Sequence, residues 1–142
     1  MSKVIRITIQ TEPTPKGRPK TTLRHGRVWT YTPRHTEIAE DFIKLRVMRH
    51  RDECFAEHIP VKMSVVFYRT KSKYLPKTET LPVRKPDSDN LCKLVSDAIN
   101  GILIKDDAQL TTVHIRKRWS TTGIGYITLR LEDDTLDTPD ND

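Results

Sequence analysis

Three segments that alternate apolar and polar residues commit this chain to a β-sheet. They are VIRITIQ (4–10), VKMSVVFYR (61–69) and GYITLRLE (125–132), and TTVHIRKRW (111–119) repeats the alternation with more basic residues. A period of two is typical of strands that bury one face and leave the other in solvent. These segments therefore predict a sheet that is covered on one side.

Two further segments have the longer period of helices. A pattern that follows Pro33 and ends near Arg51 has Thr36 as its predicted N-cap and one apolar stripe: Ile38, Phe42, Leu45 and Met48. A second pattern runs over residues 88–100 and stops at Asn100-Gly101. It has a broader apolar face: Leu91, Leu94, Val95, Ala98 and Ile99.

The remaining segments complete the predicted topology. A hairpin turns at His25-Gly26, and ILIKDDAQL (102–110) reads as a short strand that runs into an acidic turn. The order is β-β-α-β-α-β-β, which predicts a small α/β (α+β) protein with one mixed sheet and two main helices. Residues 70–86 contain three prolines and five basic residues, and we expect a mobile basic loop there.

Charge is unevenly distributed along the 142 residues, a length that suits one domain. Residues 132–142 contain six acids and no lysine or arginine, so residues 1–131 have 13 acids against 25 basic residues, a net charge of +12. We expect a folded domain over 1–131 and a disordered acidic tail over 132–142, which stays free in solvent or competes with a ligand for the basic surface. The basic domain favours a polyanionic partner such as nucleic acid.

Nothing in the sequence indicates export or membrane insertion. The N-terminus lacks the apolar core of a signal peptide, and no apolar run is long enough to span a bilayer. The two cysteines, Cys54 and Cys92, form no CxxC pair, so reduced thiols and a cytoplasmic location are expected. No glycine-rich phosphate loop is present, and no organic cofactor is expected.

The acids of KPDSDNLCKLVSDAIN (85–100) stand out in so basic a chain. Asp87 and Asp89 lie two residues apart at the start of the second helix, and Asp89, Lys93 and Asp97 follow a spacing of four that places them on one helical face. A tight return after the helix would allow Asp87, Asp89 and Asp107 to converge. Carboxylates without histidine or cysteine nearby favour Mg²⁺ or Mn²⁺, which serve phosphoryl transfer.

Simpler explanations exist for each of these residues. Ser88 or Asp89 is a possible helix cap, and Asp106-Asp107 is a possible ordinary turn. Asp97 suits a solvated position or an ion pair with Lys93. A Ca²⁺ loop is excluded, because the glycine and glutamate that such a loop requires are missing.

The longer string KPDSDNLCKLVSDAINGILIKDDAQL (85–110) resembles the core signature of the RusA family of Holliday-junction resolvases. That signature reads K-P-D-x-D-N-L-x-K-x-x-x-D-A-L-N-G, then a short apolar run, then D-D-x-Q. The segments PTPKGRPK and YTP are similar to phage members of the family, more loosely. The acidic tail lies outside the resemblance.

The resemblance implies a homodimeric, Mg²⁺-dependent endonuclease that cuts four-way DNA junctions by paired nicks. The family's catalytic aspartates correspond to Asp87, Asp89 and Asp107, and its important lysine corresponds to Lys93. Asp106 either assists in holding the metal or only shapes the turn. Mn²⁺ is expected to substitute for Mg²⁺.

Basic residues outside this signature are candidates for phosphate contacts with branched DNA. They are Lys16, Arg18, Lys20, Lys71, Lys73, Lys77 and Arg84, and Lys85, the first residue of the signature, is a further candidate. Two alternatives remain open beside junction resolution in DNA recombination and repair. One is a Mg²⁺ nuclease that cuts other branched DNA, and the other is a DNA-binding module without catalysis.

Overall fold

The computed structural model describes residues 3–17, 20–31 and 33–135. Its elements follow in this order: β1 (Val4–Ile9), β2 (Lys20–Arg24), β3 (Arg27–Tyr31), α1 (Arg34–Val47), β4 (Val61–Arg69), α2 (Ser88–Ile99), β5 (Leu110–Trp119) and β6 (Tyr126–Asp133). Short 3₁₀ segments follow α1 and precede β5. The predicted mixed α/β class and element order are confirmed, with the hairpin accounting for two strands, β2 and β3.

The main sheet has four strands in the order β1-β6-β4-β5. β6 pairs antiparallel with both β1 and β4, whereas β5 pairs parallel with β4. The chain crosses from β4 to β5 through α2, as a parallel connection requires. β5 is therefore an edge strand, and β2 and β3 form a separate two-stranded sheet.

The strand alternation predicts the buried face of the sheet correctly. Val61, Met63, Val65 and Phe67 of β4 are all buried, and matching residues of β1 and β6 join them. The inward face of α2 completes this core, together with Leu103 and Ile104. The burial of this contiguous apolar set supplies the main driving force for folding.

The predicted apolar stripe of α1 is wrong. Ile38 is 60% exposed and Leu45 is 70% exposed. The helix instead buries the face that contains Thr36, Ala39, Ile43 and Val47. The small side chain of Ala39 allows the helix to pack closely against the core. The predicted N-cap, Thr36, is also wrong, because Pro33 occupies the N-cap position. The hydroxyl of Thr36 instead accepts a hydrogen bond from the Gly17 amide at 3.1 Å.

The segment after α2 also differs from the prediction. Residues 102–105 form turns rather than a strand, and their only ladder contact is an isolated bridge between Asn100 and Ile104. Gly101 makes the reversal at a positive φ of 82°, a conformation that glycine adopts without strain. The chain therefore stays near the C-terminal end of α2 before it enters β5.

The predicted start of the acidic tail, at residue 132, falls inside β6, which ends at Asp133. Asp134 is also fixed, because its carboxylate accepts hydrogen bonds from the hydroxyls of Thr111 at 2.7 Å and Thr112 at 2.6 Å. These hydrogen bonds, that of Thr112 first, lower the pKa of Asp134. The rest of the predicted tail, 136–142, lies outside the described residues. Within the described ranges, no helix is long and apolar enough to cross a membrane.

Candidate active site

Asp87 occupies the N-cap position of α2, but its carboxylate does not cap the helix. Its backbone is extended, with φ −70° and ψ 149°, and its carbonyl accepts the first helical hydrogen bond from the Leu91 amide at 3.2 Å. No side chain accepts a capping hydrogen bond from the backbone amides of the first turn of this helix. The capping role considered for Ser88 or Asp89 is therefore not found, and Asp87 directs its carboxylate elsewhere.

The carboxylate of Asp87 is held by Lys85. The Lys85 ammonium group lies 2.8 Å from Oδ1 and 2.9 Å from Oδ2. This hydrogen bond is the main reason that the pKa of Asp87 is lowered, and the charge of Lys117 adds to the effect. The side chain of Asp87 remains 49% exposed, so its ionised carboxylate is accessible to solvent.

Two basic residues of the sheet fix the backbone just before Asp87. Lys117 Nζ donates hydrogen bonds to the carbonyl oxygens of Arg84 at 3.1 Å and Pro86 at 3.0 Å. Arg69 Nη1 donates to the Lys85 carbonyl at 2.9 Å. Sequence reasoning missed this role, although Lys117 occupies an inward position of an otherwise apolar alternation in β5, and that was an available signal.

α2 presents Asp89, Lys93 and Asp97 on the face opposite its buried residues, as their spacing predicts. Asp89 and Lys93 are exposed. Asp97 pairs with Lys16 Nζ at 3.1 Å, not with Lys93. Among the residues that the structure describes, the ammonium group of Lys93 has no hydrogen-bond or ion-pair partner, so it is available for an anion near Asp89.

Lys16 is a structural link rather than an open phosphate contact. Its ammonium group lies 2.7 Å from Glu40 Oε1 as well as near Asp97. Burial opposes the charge of Lys16, but hydrogen bonds to these two carboxylates outweigh it and raise the pKa of Lys16. Its backbone amide also donates to the Asn90 carbonyl at 2.9 Å, so Lys16 ties the segment after β1 to both helices.

Asp106 and Asp107 lie at the far end of α2, around the 3₁₀ turn that precedes β5. Buried Gln109 shapes this turn: its side-chain oxygen accepts from the amides of Lys105 at 2.7 Å and Asp106 at 3.1 Å. Its side-chain nitrogen donates to the carbonyls of Ala56 and Ile59 at 2.9 and 3.0 Å. Both carboxylates are exposed. Sequence reasoning gave Gln109 no role of its own.

The predicted convergence of Asp87, Asp89 and Asp107 within one chain is wrong. α2 has 12 residues, so at about 1.5 Å per residue it separates its two ends by about 18 Å. Asp87 precedes one end, and the Asn100–Ile104 bridge holds the chain before Asp107 at the other. In residues 3–17, 20–31 and 33–135, no group of three histidine, cysteine or acidic side chains is arranged to hold a metal ion.

The basic loop that follows β4 is held by contacts with itself and with β5. Lys71 Nζ donates to the carbonyls of Pro76 at 2.9 Å and Glu79 at 2.7 Å, and Trp119 Nε1 donates to the same Glu79 carbonyl at 3.2 Å. Arg84 pairs with the Glu79 carboxylate at 3.2 Å. The other predicted phosphate contacts, Lys20, Lys73, Lys77 and Lys85, are exposed. Arg18 lies outside the described residues.

Cys92, beside the candidate site on α2, does not resemble a nucleophile. Both thiols are free. Cys92 is buried on α2, and burial, with a smaller effect from Asp89, raises its pKa to about 11. A thiol with so high a pKa stays protonated at neutral pH and reacts poorly.

Comparison with known proteins identifies the family to which the chain belongs. The model of the endodeoxyribonuclease RusA family matches residues 10–130. The uncharacterized protein YqaN of Bacillus subtilis is 31% identical over 126 residues, which cover 82% of this chain and 88% of that protein. The matched residues include α2, the basic loop over residues 70–86, and the acids Asp87, Asp89, Asp106 and Asp107. The chain therefore belongs to the RusA family of endodeoxyribonucleases.

Proposed function

We propose that the protein is a Mg²⁺-dependent endonuclease that resolves four-way DNA junctions by paired symmetric nicks, in recombination and repair. One observation carries this proposal beyond the family. Asp87 stands at a helix N-cap, yet its carboxylate does not cap the helix and is exposed to solvent, two residues before the exposed Asp89. Exposed carboxylate oxygens in a strongly basic domain suit a hard cation that also binds a phosphate.

Each residue at the start of α2 has a distinct part in this proposal. Asp87 and Asp89 would hold Mg²⁺ or Mn²⁺, which when bound activates water and stabilises charge on a phosphate. Lys93, one helical turn beyond Asp89, would stabilise the charge that develops as the phosphodiester breaks. Lys85, which is hydrogen-bonded to both carboxylate oxygens of Asp87, would give up this contact to a bound cation. Lys117 and Arg69 keep the backbone before Asp87 in position.

The donor set within one chain is incomplete, because Asp107 lies at the other end of α2. A second copy of the chain, paired with the exposed edge of β5, would complete this donor set. In an antiparallel pair of strands, the start of one strand lies beside the end of the other. Pairing two β5 edges about a two-fold axis would bring Asp107 of the partner subunit toward the Lys117 end of β5, where the segment before Asp87 is anchored.

Features of β5 support its use in a homodimer. It is hydrogen-bonded to β4 alone within the described sheet, and Val113 is 41% exposed on it. Unpaired strand edges readily pair with another chain. A two-fold dimer would have two equivalent sites, which matches a four-way junction with two equivalent strands to cut.

DNA binding would rest on the basic surface around these sites. Lys20, Lys73, Lys77, Arg84 and Lys85 would contact phosphates, and the structure of the junction rather than base sequence would select the substrate. Lys16 and Lys71 have ammonium groups that are engaged by carboxylates or carbonyls of the protein, so they would not contact phosphates directly.

A cleavage assay tests the proposal. The protein is incubated with a synthetic four-way junction, a flap and a linear duplex, in Mg²⁺, Mn²⁺ or EDTA. We expect symmetric junction nicks with either metal, none in EDTA, and at least about a 100-fold loss for Asp87→Asn, since catalytic contributions of this size are common. Asp41→Asn, the same change on an exposed acid of α1, is the matched control.

The outcomes separate the proposal from its alternatives. Preferential cutting of the flap would indicate a nuclease for other branched DNA. Tight junction binding without cleavage in either metal would indicate a DNA-binding module without catalysis. Either result would contradict junction resolution as the activity of this chain.

A further inference from the structure

The hairpin formed by β2 and β3 is unusually exposed for a structured part of a protein. All residues of both strands are exposed. Leu23 and Val28 are each 71% exposed, Trp29 is 55% exposed and Tyr31 is 49% exposed. An isolated two-stranded hairpin is only marginally stable in water. A ligand that covers the large side chains of such a hairpin would remove their apolar surface from water and stabilise the hairpin.

The strand register sorts the side chains of the hairpin into two different faces. Lys20 lies opposite Tyr31, Thr22 opposite Trp29, and Arg24 opposite Arg27. Because alternate residues of a strand share a face, these six side chains lie together. This face, here called the aromatic-basic face, contains both aromatic rings of the hairpin and all its lysine and arginine residues. The opposite face has Thr21, Leu23, Val28 and Thr30.

The aromatic-basic face has the composition of a surface for unpaired DNA bases. Residues 20–31 include no aspartate or glutamate. A depression of about 360 Å³ is lined by four residues of this face, Thr22, Arg24, Trp29 and Tyr31, together with Thr30, which lies between the two aromatic residues. Proteins bind single strands by stacking bases on aromatic rings while cations contact the phosphates. A paired duplex offers no free base face to such rings, whereas a branch point does.

The hairpin also starts close to the candidate active site. The Lys16 amide is hydrogen-bonded to the Asn90 carbonyl in the first turn of α2. Lys20, where β2 begins, is four residues further on, which limits its distance from Lys16 to about 14 Å. One branched substrate can therefore reach both the hairpin and the acids at the start of α2.

We propose that the aromatic-basic face of the hairpin binds unpaired bases at the branch point of DNA, by stacking on Trp29 and Tyr31 while Lys20, Arg24 and Arg27 contact the flanking phosphates. This inference rests on the proposed function for the choice of DNA as substrate. It adds a subsite that recognises exposed bases, apart from the acids that cleave. The hairpin thereby contributes to the preference for branched over linear DNA.

Trp29 fluorescence gives a test that does not depend on cleavage. The protein has two tryptophans, so Trp119→Phe leaves Trp29 as the only one. In EDTA, this variant is titrated with a 15-nucleotide oligo(dT) and with a blunt duplex of equal length. We expect oligo(dT) to quench Trp29 strongly and the duplex to quench it weakly, because only unpaired bases stack on the ring.

Substitutions then separate stacking from charge. Trp29→Ala in the otherwise unchanged protein should weaken oligo(dT) binding about tenfold and duplex binding less than about twofold, in line with the contribution of one stacked base. The double variant Leu23→Ser, Val28→Ser alters the opposite face and should leave both affinities unchanged. Urea unfolding of each variant confirms that the domain is folded, since the hairpin lies outside the core.

Three results would overturn the inference. One is no quenching by oligo(dT), and another is equal weakening of both ligands by Trp29→Ala. The third is a loss of binding or a change of oligomeric state in the Leu23, Val28 variant, which would make the apolar face the functional one. Stacking without junction cleavage would refute the proposed function alone, and cleavage without stacking would refute this inference alone.

Discussion

Lys117 Nζ lies 3.0 Å from the carbonyl oxygen of Pro86, so a lysine of the sheet fixes the residue that immediately precedes Asp87. The same ammonium group reaches the Arg84 carbonyl at 3.1 Å. A charge-assisted hydrogen bond of this kind is worth about 1.5–3 kcal/mol. Lys117 is therefore a positioning residue for the carboxylate of Asp87, in addition to adding positive charge near it.

Replacing Lys117 with methionine tests this positioning role. Lys117→Met should lower the single-turnover cleavage rate at least about tenfold, since small displacements of catalytic groups have large costs. Junction affinity should fall by less than about threefold, the effect of one lost charge. Arg118→Met removes the same charge from the neighbouring exposed residue and should leave the rate nearly unchanged. Equal rate losses in both variants would show that only charge matters.

A comparison of Lys16 with Lys77 distinguishes a lysine that stabilises the fold from one that contacts phosphate. Its side chain is 23% exposed and bonds to both Glu40 and Asp97, so Lys16→Met should lower the free energy of unfolding by roughly 2 kcal/mol. It should barely alter the salt dependence of junction binding. Lys77→Met, at an exposed lysine, should instead reduce that slope by about 0.9 and leave stability unchanged. If Lys16→Met instead reduced the salt slope and left stability unchanged, Lys16 would be a phosphate contact.

The pKa of Lys16 gives the same contact a pH dependence. A group whose pKa is raised by folding stabilises the folded state fully below its unfolded pKa. The contribution of Lys16 should therefore be complete below its ordinary value of 10.5 and be lost as pH rises through the higher folded value. Urea unfolding of wild type and Lys16→Met should converge in that alkaline range. A stability difference that vanishes already at neutral pH would contradict this ion-pair assignment.

Mixed dimers test whether the acidic site is shared between subunits. Asp87→Asn and Asp107→Asn should each be inactive alone. If one site combines Asp87 of one subunit with Asp107 of its partner, a mixed dimer of the two variants retains one intact site. Mixing should therefore restore single nicks, with up to about a quarter of the wild-type sites intact when subunits exchange freely into closed two-fold dimers.

The alternative arrangement predicts a different result for the same mixture. If each subunit used its own Asp87 and Asp107, every site in the mixed dimer would have one substitution. No activity would then return, even in a mixture in which exchange of subunits between the two variants had been demonstrated. Leu45→Glu, on the exposed face of α1, checks that a change away from the β5 edge leaves the dimer intact.

The sequence predicted best those features that depend on local periodicity. Alternation identified Val61, Met63, Val65 and Phe67 as buried, and the helical pattern correctly placed Asp87 and Asp89 at the start of α2. Spacing of four also placed Lys93 on the face of Asp89. These features follow from the geometry of one strand or one helix, without knowledge of neighbours.

Features that depend on distant contacts were not predictable in the same way. α1 has apolar residues on more than one face. Its packing against α2 buries Ala39, Ile43 and Val47 and leaves Ile38 and Leu45 exposed. The position of Asp107 depends on Gln109, which bonds to carbonyls about fifty residues away at Ala56 and Ile59. The family signature places Asp87 and Asp107 in one function, but it has no information on whether one chain brings them together.

The most direct test of the central claim is the form of the product from a supercoiled plasmid that extrudes a cruciform. Two nicks across the junction within one binding event convert this plasmid to a linear molecule, whereas a single nick leaves a relaxed circle. Wild-type protein with Mg²⁺ should yield linear plasmid from the outset, and Asp87→Asn should yield none. Relaxed circles alone, or an uncut plasmid with folded protein bound, would contradict the account of paired junction resolution.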